Sequence, residues 1–328
     1  ALTDLAEVIL DQTVRDGQAL LARLHGKPRL TNGKSCPFAL FGLGKFGGRE
    51  LGYASDIEVL FVYGGAGGTN GRRALDNSEY FERLAQDIIQ SIEAKQEGIF
   101  HLDVRLRPHG GKGLLANSLD ELQAYYSTTG LSAPFERQAL IKLRFAAGDP
   151  ALGRAVERHR DEFVYSEQPW DLAAALALRH RQVTELVERG QTNVKYSPGG
   201  LLDIEYMVQY LQLLHGHTEP RLRTPNTLDA LTALGESGIL TSEEVTVLRE
   251  TYLFLRELID GLRIVRGHAK DLVLPPSDSE AFTFLSRRLG YAAERWEEGA
   301  ARLAADIAQN MDRIGRLFKK KFEEGRGS

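Results

Sequence analysis

The chain has one cysteine, Cys36, among its 328 residues. Neither an intrachain disulfide framework nor a multi-cysteine zinc site is open to it, and a reducing cytoplasm is the expected setting. No apolar run approaches the roughly 18 residues needed to cross a bilayer, so no membrane partner is expected. An excess of positive charge is missing too. The 41 Lys and Arg residues against 45 Asp and Glu give a formal net charge of -4, which leaves no electrostatic footprint for a nucleic acid. The histidines His101, His109, His215, His217 and His268 show no metal-ligand spacing with nearby cysteines or acids. Trp170 and Trp296 lie within helical patterns and are expected in the core. Residues 1–7 carry no basic stretch ahead of an apolar one, so a secretory leader is not expected. Because the first residue is Ala, the chain is expected to be a piece of something longer.

What is present is an ordinary globular composition, 42% hydrophobic and 26% charged, on a chain long enough for two sizeable cores. Leu5, Val8, Ile9, Val14, Leu20, Leu21 and Leu24 predict an amphipathic helix over 2–24, stopped by Gly26-Lys27-Pro28. Strands are predicted over 37–42, 56–63 and 99–106, with a helix over 77–94. A glycine-rich stretch at 64–71 reads as a flexible loop. In the third strand, alternation places His101, Asp103, Arg105 and Arg107 on one face. Beyond about Pro108 no comparable strand is expected. Helical patterns follow over 119–128, 135–145, 152–163, 170–189, 201–214, 227–235, 242–266, 277–289 and 292–322. The expected organisation is an α/β unit over 1–150 followed by an all-helical domain over 151–328.

The chemistry concentrates at Ser55-Asp56-Ile57-Glu58-Val59-Leu60-Phe61-Val62-Tyr63. Side chains alternate along a strand, so Asp56 and Glu58 share a face and repel each other unless a cation lies between them. A divalent metal is the usual answer. Just upstream, Gly42-Leu43-Gly44-Lys45-Phe46-Gly47-Gly48 follows a predicted strand and satisfies G-x-G-x-x-G. A dinucleotide-binding fold would need a long amphipathic helix next and an acid closing the following strand. Here the intervening residues are too few and the acids open that strand. The better account is a turn whose Gly42, Gly44, Gly47 and Gly48 let backbone N–H groups approach phosphate, with Lys45 adding charge and Ser55 holding a phosphate oxygen. Asp103, with Arg105 and Arg107 beside it, is the candidate third acid. These spacings give catalytic and metal-binding Asp56, Glu58 and Asp103, with Mg²⁺ expected and Mn²⁺ as the alternative.

This order of parts resembles the polymerase-β-type nucleotidyltransferases. More narrowly, five segments resemble the glutamine synthetase adenylyltransferase/adenylyl-removing family: residues 42–63, 102–115, 135–149, 194–216 and 222–240. The resemblance implies an α+β fold, a polymerase-β-like nucleotidyltransferase domain with a small mixed sheet followed by an all-helical domain. It implies AMP removal from, or addition to, a tyrosine of glutamine synthetase. ATP, ADP and phosphate would be the small-molecule partners, and a regulatory signalling protein a further one. It also implies that Lys195 and Glu205, around the Pro198-Gly199-Gly200 turn, face the nucleotide, with Asp203 equally readable as a helix cap. That family has two such halves, and this chain has the length of one. The Lys195 to Glu205 block, Tyr125-Tyr126 before Phe135-Glu136-Arg137, and Thr227-Leu228-Asp229 look more like the removing half, whereas Gly52-Tyr53 looks more like the adding half. Glu58 stands where the family usually has Asp, and Phe135 where Trp is common. A non-catalytic nucleotide-binding or docking module, and a nucleotidyltransferase with another acceptor, are the alternatives.

Overall fold

The computed structural model describes residues 1–92, 101–268, 271–291 and 293–324. The backbone clusters into two units. One comprises Ala1–Leu51, Ser55–Gln168 and Arg223–Asn226, the other Gly52–Ala54, Pro169–Leu222 and Thr227–Ser328. The main passage falls between Gln168 and Pro169, beyond the expected residue 150, because the helix starting at Pro150 packs on strands of the first unit.

In the first unit the elements run α1 (Leu2–His25), β1 (Pro28–Leu30), β2 (Phe38–Gly42), α2 (Gly44–Gly47), β3 (Ile57–Tyr63), β4 (Gly67–Thr69), α3 (Asn77–Ile92), β5 (Leu102–Asp103), β6 (Ala116–Ser118), α4 (Leu119–Tyr125), α5 (Pro134–Ala139), β7 (Arg144–Gly148) and α6 (Pro150–Val164). The main sheet has the order β5-β3-β2-β7, with β6 also on β3. It is mixed: β3 is antiparallel to β2 and parallel to β5 and β6. Every residue of β2 is buried, and β3 is buried at all but one position. Such two-sided burial explains why both read as continuous apolar runs. Phe38, Leu40, Val59 and Phe61 join the core that α1 and α3 supply through Leu10, Val14, Phe81, Leu84 and Ile88. The Phe81 ring stacks on Phe38 at 5.4 Å and on Tyr63 at 4.9 Å. On the sheet's other face lie Ala39, Phe41, Leu60 and Val62, and α6 packs on β2 and β7.

The α+β order expected from the sequence holds, with three local corrections. The strand expected over 99–106 is ordered as a strand only at Leu102–Asp103, residues 99 and 100 lying outside the described ones. Past Asp103 the chain folds into a loop closed by Arg107, whose guanidinium donates to Val104 O and Gly113 O. Strands do occur after Pro108. β7 begins where a helix was expected over 135–145, since α5 ends at Ala139 and a 3-10 turn over Leu140–Lys142 follows. The Ala146-Ala147-Gly148 stretch carries none of the β-branched signal by which a strand is recognised. The glycine-rich 64–71 stretch contains β4, paired antiparallel with β1.

The second unit contains α7 (Leu172–Leu186), α8 (Leu201–His215), α9 (Thr227–Glu236), α10 (Ser242–Arg266), α11 (Glu280–Arg288) and α12 (Trp296–Glu324). Its core gathers Ile204, Met207, Val208, Leu231, Leu255, Ile259, Leu285, Leu303 and Ile314. α8 is apolar nearly all round, as a central helix must be. Trp170 packs against Tyr210 at 6.1 Å. Trp296, expected in the core, is 43% exposed at the start of α12. Among the described residues no helix is long and apolar enough to cross a membrane.

The turn into α8 is held by charge. Gly199 takes a φ of 78°, and a Cβ there would lie 1.9 Å from Met311 O, so only glycine fits. Its N–H donates to Asp203 Oδ2 at 2.6 Å, and Arg179 Nε donates to Asp203 Oδ1 at 2.7 Å. The two charged side chains are only 4% and 5% exposed. Burial pushes the Asp203 carboxyl above its ordinary range, against the opposing pull of Arg179 and the Gly199 N–H. Asp203 is thus a buried structural anion. Asp203→Ala leaves Arg179 buried without its counter-ion and is expected to destabilise the helical unit by about 3–5 kcal/mol in urea unfolding. A change below about 1 kcal/mol would refute the anchoring role.

Candidate active site

The sharp turn after β2 is built on close backbone approach. Gly44 has a φ of 48°, and a Cβ on it would lie 2.2 Å from Oε2 of Glu58. A Cβ on Gly47 would lie 1.8 Å from the Lys142 carbonyl, and one on Gly42 would lie 2.7 Å from the Phe46 ring. A Cβ on Gly48 would meet the Glu50 carboxylate at 2.9 Å. Each glycine therefore makes room for the protein's own atoms at this turn. The Leu43 N–H donates to Glu58 O, Gly47 N–H to Leu43 O and Gly48 N–H to Gly44 O. α2 is four residues long and β2 and β3 run antiparallel, so the dinucleotide-binding geometry of parallel strands around a long helix is absent here.

The acids lie next to this turn. Asp56 precedes β3 and is exposed, whereas Glu58 is half-buried within it. In the parallel β3–β5 pair, Glu58 is in register with Asp103, so the two carboxylates leave neighbouring strands on the same side. Their present partners differ. Glu58 faces the Gly44 backbone. Asp103 is forked by Arg105, with Nη2 at 2.5 Å and Nε at 2.9 and 3.0 Å. Burial raises the Asp103 carboxyl, but hydrogen bonds and charge from Arg105 outweigh it and leave it below the usual carboxylate range. The Arg105 guanidinium is held charged by Asp103 first, then also by Asp56 and Glu58. Among the described residues no three His, Cys, Asp or Glu side chains converge as a metal cage. The donor set and its register suit a hard divalent cation, and the position already draws a cation in the form of Arg105.

Of the remaining expected residues, Ser55 is buried two residues before β3 and Lys45 is half-buried on the turn. Arg107, expected on phosphate, is buried and spends its N–H groups on the carbonyls of its own loop. Lys195 and Glu205 belong to the second unit. The Lys195 ammonium lies 4.9 Å from the Tyr196 ring centroid, and Glu205 is half-buried on α8.

Sequence reasoning passed over the residues that brace the turn. Lys142 Nζ pairs with Glu50 Oε2 at 2.6 Å, with side chains 8% and 5% exposed. Arg144, in register with Gly42, donates to Gly47 O and Phe46 O. Asn226 donates to Gly48 O. Their only signal was the resemblance of residues 42–63, 135–149 and 222–240. Nearby, the buried Glu136 carboxylate accepts from Tyr125 and Tyr126 hydroxyls at 3.0 and 3.1 Å and from the Ala133 N–H at 3.0 Å. Burial first, and then this carboxylate, raises the pKa of both phenols.

Comparison with known proteins gives the family. Residues 1–159 match the family described as glutamate-ammonia ligase adenylyltransferase, and residues 173–322 match GlnD PII-uridylyltransferase. A bifunctional glutamine synthetase adenylyltransferase/adenylyl-removing enzyme of Thioalkalivibrio sulfidiphilus is 34% identical over 99% of this chain and 33% of its own length. Namesakes from Aromatoleum aromaticum and Stenotrophomonas maltophilia are 38% and 36% identical, over 85% and 96% of this chain and 30% and 33% of their own lengths. The chain belongs to this adenylyltransferase/adenylyl-removing family. It spans about a third of the length of the curated relatives it matches. The Glu58 carboxylate lies where Gly44 lacks a side chain.

The two glycines make separable demands. Gly44→Ala carries a left-handed backbone cost of about 1–2 kcal/mol, and its clash is with a movable carboxylate. Gly47→Ala meets backbone at 1.8 Å and is expected to cost on the order of 3 kcal/mol. Urea unfolding of both variants checks the order, and equal losses would contradict the close approach at Gly47.

Proposed function

We propose that the first unit is a nucleotidyltransferase acting at the phosphorus of AMP, with the tyrosine of glutamine synthetase as its protein partner. The favoured direction is removal. An oxygen of inorganic phosphate attacks the AMP phosphorus, the bond to the tyrosine oxygen breaks, the tyrosine takes up a proton and ADP leaves. Addition is the same displacement with ATP as donor, the tyrosine hydroxyl as nucleophile and pyrophosphate leaving. The observation that carries this reading is the register of Glu58 on Asp103, with Asp56 two residues earlier at the exit of a glycine turn.

Asp56, Glu58 and Asp103 are the residues that would hold a divalent cation, Mg²⁺ with Mn²⁺ as the alternative. When bound, such an ion stabilises charge on the non-bridging phosphoryl oxygens. The chain's own groups do the rest. Asp103 releases Arg105, whose guanidinium is exposed and able to turn to equatorial phosphoryl oxygens. Lys45 adds a second positive charge, and Ser55 positions a phosphate oxygen at the base of β3. Gly44 lets the Glu58 carboxylate approach the backbone of the turn. Arg107 keeps the loop that carries Arg105 closed. A cytoplasmic setting and a regulatory signalling partner complete the proposal.

The test is incubation of the chain with adenylylated and unmodified glutamine synthetase, with phosphate or ATP and Mg²⁺, followed by intact-mass measurement. The adenylylated form is expected to lose AMP. Because Asp56 is exposed, Asp56→Ala is expected to keep the unfolding midpoint while lowering turnover on the order of a thousandfold or more. Full activity in Asp56→Ala would remove the assignment. An unchanged mass both with phosphate and with ATP would remove the function.

A further inference from the structure

We infer that Arg144 and Asn226 are positioning residues that hold the glycine turn in the shape that receives the nucleotide. The inference rests on the nucleotide role proposed for that turn. Its starting point is the accounting of the turn's backbone groups. The Lys45 carbonyl accepts from the Glu50 N–H at 2.7 Å. Phe46 O accepts from Arg144 Nη2 at 3.1 Å, Gly47 O from Arg144 Nε at 2.8 Å and Gly48 O from Asn226 Nδ2 at 2.8 Å. Four consecutive carbonyls are thus engaged. On the N–H side, Gly47 donates to Leu43 O, Gly48 to Gly44 O and Arg49 to Phe46 O. Each peptide plane from 45–46 to 48–49 is therefore tied at one end or both, and a planar trans peptide tied at its oxygen has its N–H direction fixed as well.

Arg144 suits the task because two separate nitrogens of its rigid planar fork reach two successive carbonyls, whereas a lysine has a single nitrogen on a flexible stem. Its orientation is itself fixed. Nη1 donates to Phe145 O at 3.1 Å, Glu7 Oε1 of α1 lies 2.5 Å from Nη2, and the guanidinium carbon sits 5.9 Å from the Phe46 ring centroid. Asn226 lies on the Arg223–Asn226 segment, which clusters with the first unit although its chain neighbours belong to the second. The buried Glu50–Lys142 pair closes the floor: a Cβ on Gly48 would meet Lys142 Nζ at 3.0 Å. None of these groups is assigned to touch the nucleotide. They act by holding one backbone geometry, so the entropy of ordering the turn is not charged to binding.

The experiment measures equilibrium binding of ATP and of ADP, each with Mg²⁺, to the chain and to Asn226→Asp, Arg144→Met and Arg144→Lys, with thermal midpoints and steady-state kinetics alongside. Asn226→Asp replaces the donor with an oxygen facing Gly48 O. It is expected to weaken nucleotide binding about tenfold or more and to raise by a similar factor the KM for ATP in addition or for adenylylated glutamine synthetase in removal, with kcat changed less than about threefold. Arg144→Met should behave similarly and Arg144→Lys should recover part of the loss. Nucleotide affinity within twofold of the unsubstituted chain in folded Asn226→Asp overturns the inference, whether or not Arg144→Met folds. Lost nucleotide affinity in Asn226→Asp, with no AMP moved onto or off glutamine synthetase by the unsubstituted chain, leaves the inference standing and removes the proposed acceptor. AMP transfer with an unchanged KM in Asn226→Asp does the reverse.

Discussion

The first unit's site depends on close backbone contact at a glycine turn. Gly47 admits the Lys142 carbonyl and Gly44 admits the Glu58 carboxylate at distances no Cβ would tolerate. These two approaches bring the end of β2, the start of β7 and the acid of β3 to one place. With carbonyls of the turn tied to Arg144 and Asn226, the backbone forms a fixed template instead of a loop that must be ordered when a ligand arrives. The register of β2 with both β3 and β7 transmits that geometry to the rest of the sheet.

Electrostatics supplies the second constraint. Carboxylates at the roughly 5 Å spacing of paired strands repel by on the order of 3 kcal/mol at an effective dielectric of about 20. A fold that sets Glu58 beside Asp103, with Asp56 close by, therefore calls for positive charge. Arg105 meets that need through a fork on Asp103, while its side chain remains 87% exposed. The Asp103 side chain is 11% exposed, so the pair is open to solvent on its Arg105 side, and under the proposed function that exposed guanidinium is the group that would turn from the acid to phosphate. Arg107, two residues on, is buried and tied to its own loop. The Arg-x-Arg pair thus divides its work between a movable charge and a fixed brace.

Much of this was legible in the residues. The runs at Phe38 and Ile57 announced buried strands, the i, i+2 acids announced a charged face, and the short interval from Gly48 to Ser55 excluded a dinucleotide-binding helix. The α+β order and most helices of the second unit followed from apolar spacing. What escaped had physical reasons. β7 is made of Arg144, Phe145, two alanines and a glycine, and its strand state comes from pairing with β2, which no local pattern encodes. Arg105 was placed on a strand by alternation, but Arg107 bends the chain into a loop two residues after Leu102. The bracing roles of Glu50, Lys142, Arg144 and Asn226 depend on contacts across 92 and 178 positions of sequence, and charged residues in isolation carry no sign of their partners. Asp203 offered a cap on the helix pattern alone; its partner Arg179, 24 residues away, made it a buried ion pair.

The family relationship places this chain among proteins about three times its length, and the central claim concerns what its own acids do. Titration with Mn²⁺ followed by electron paramagnetic resonance tests that claim most directly. The account expects saturable binding that tightens when nucleotide is added and is lost in both Asp56→Ala and Asp103→Asn. Binding of equal strength in those variants and in the unsubstituted chain would contradict it.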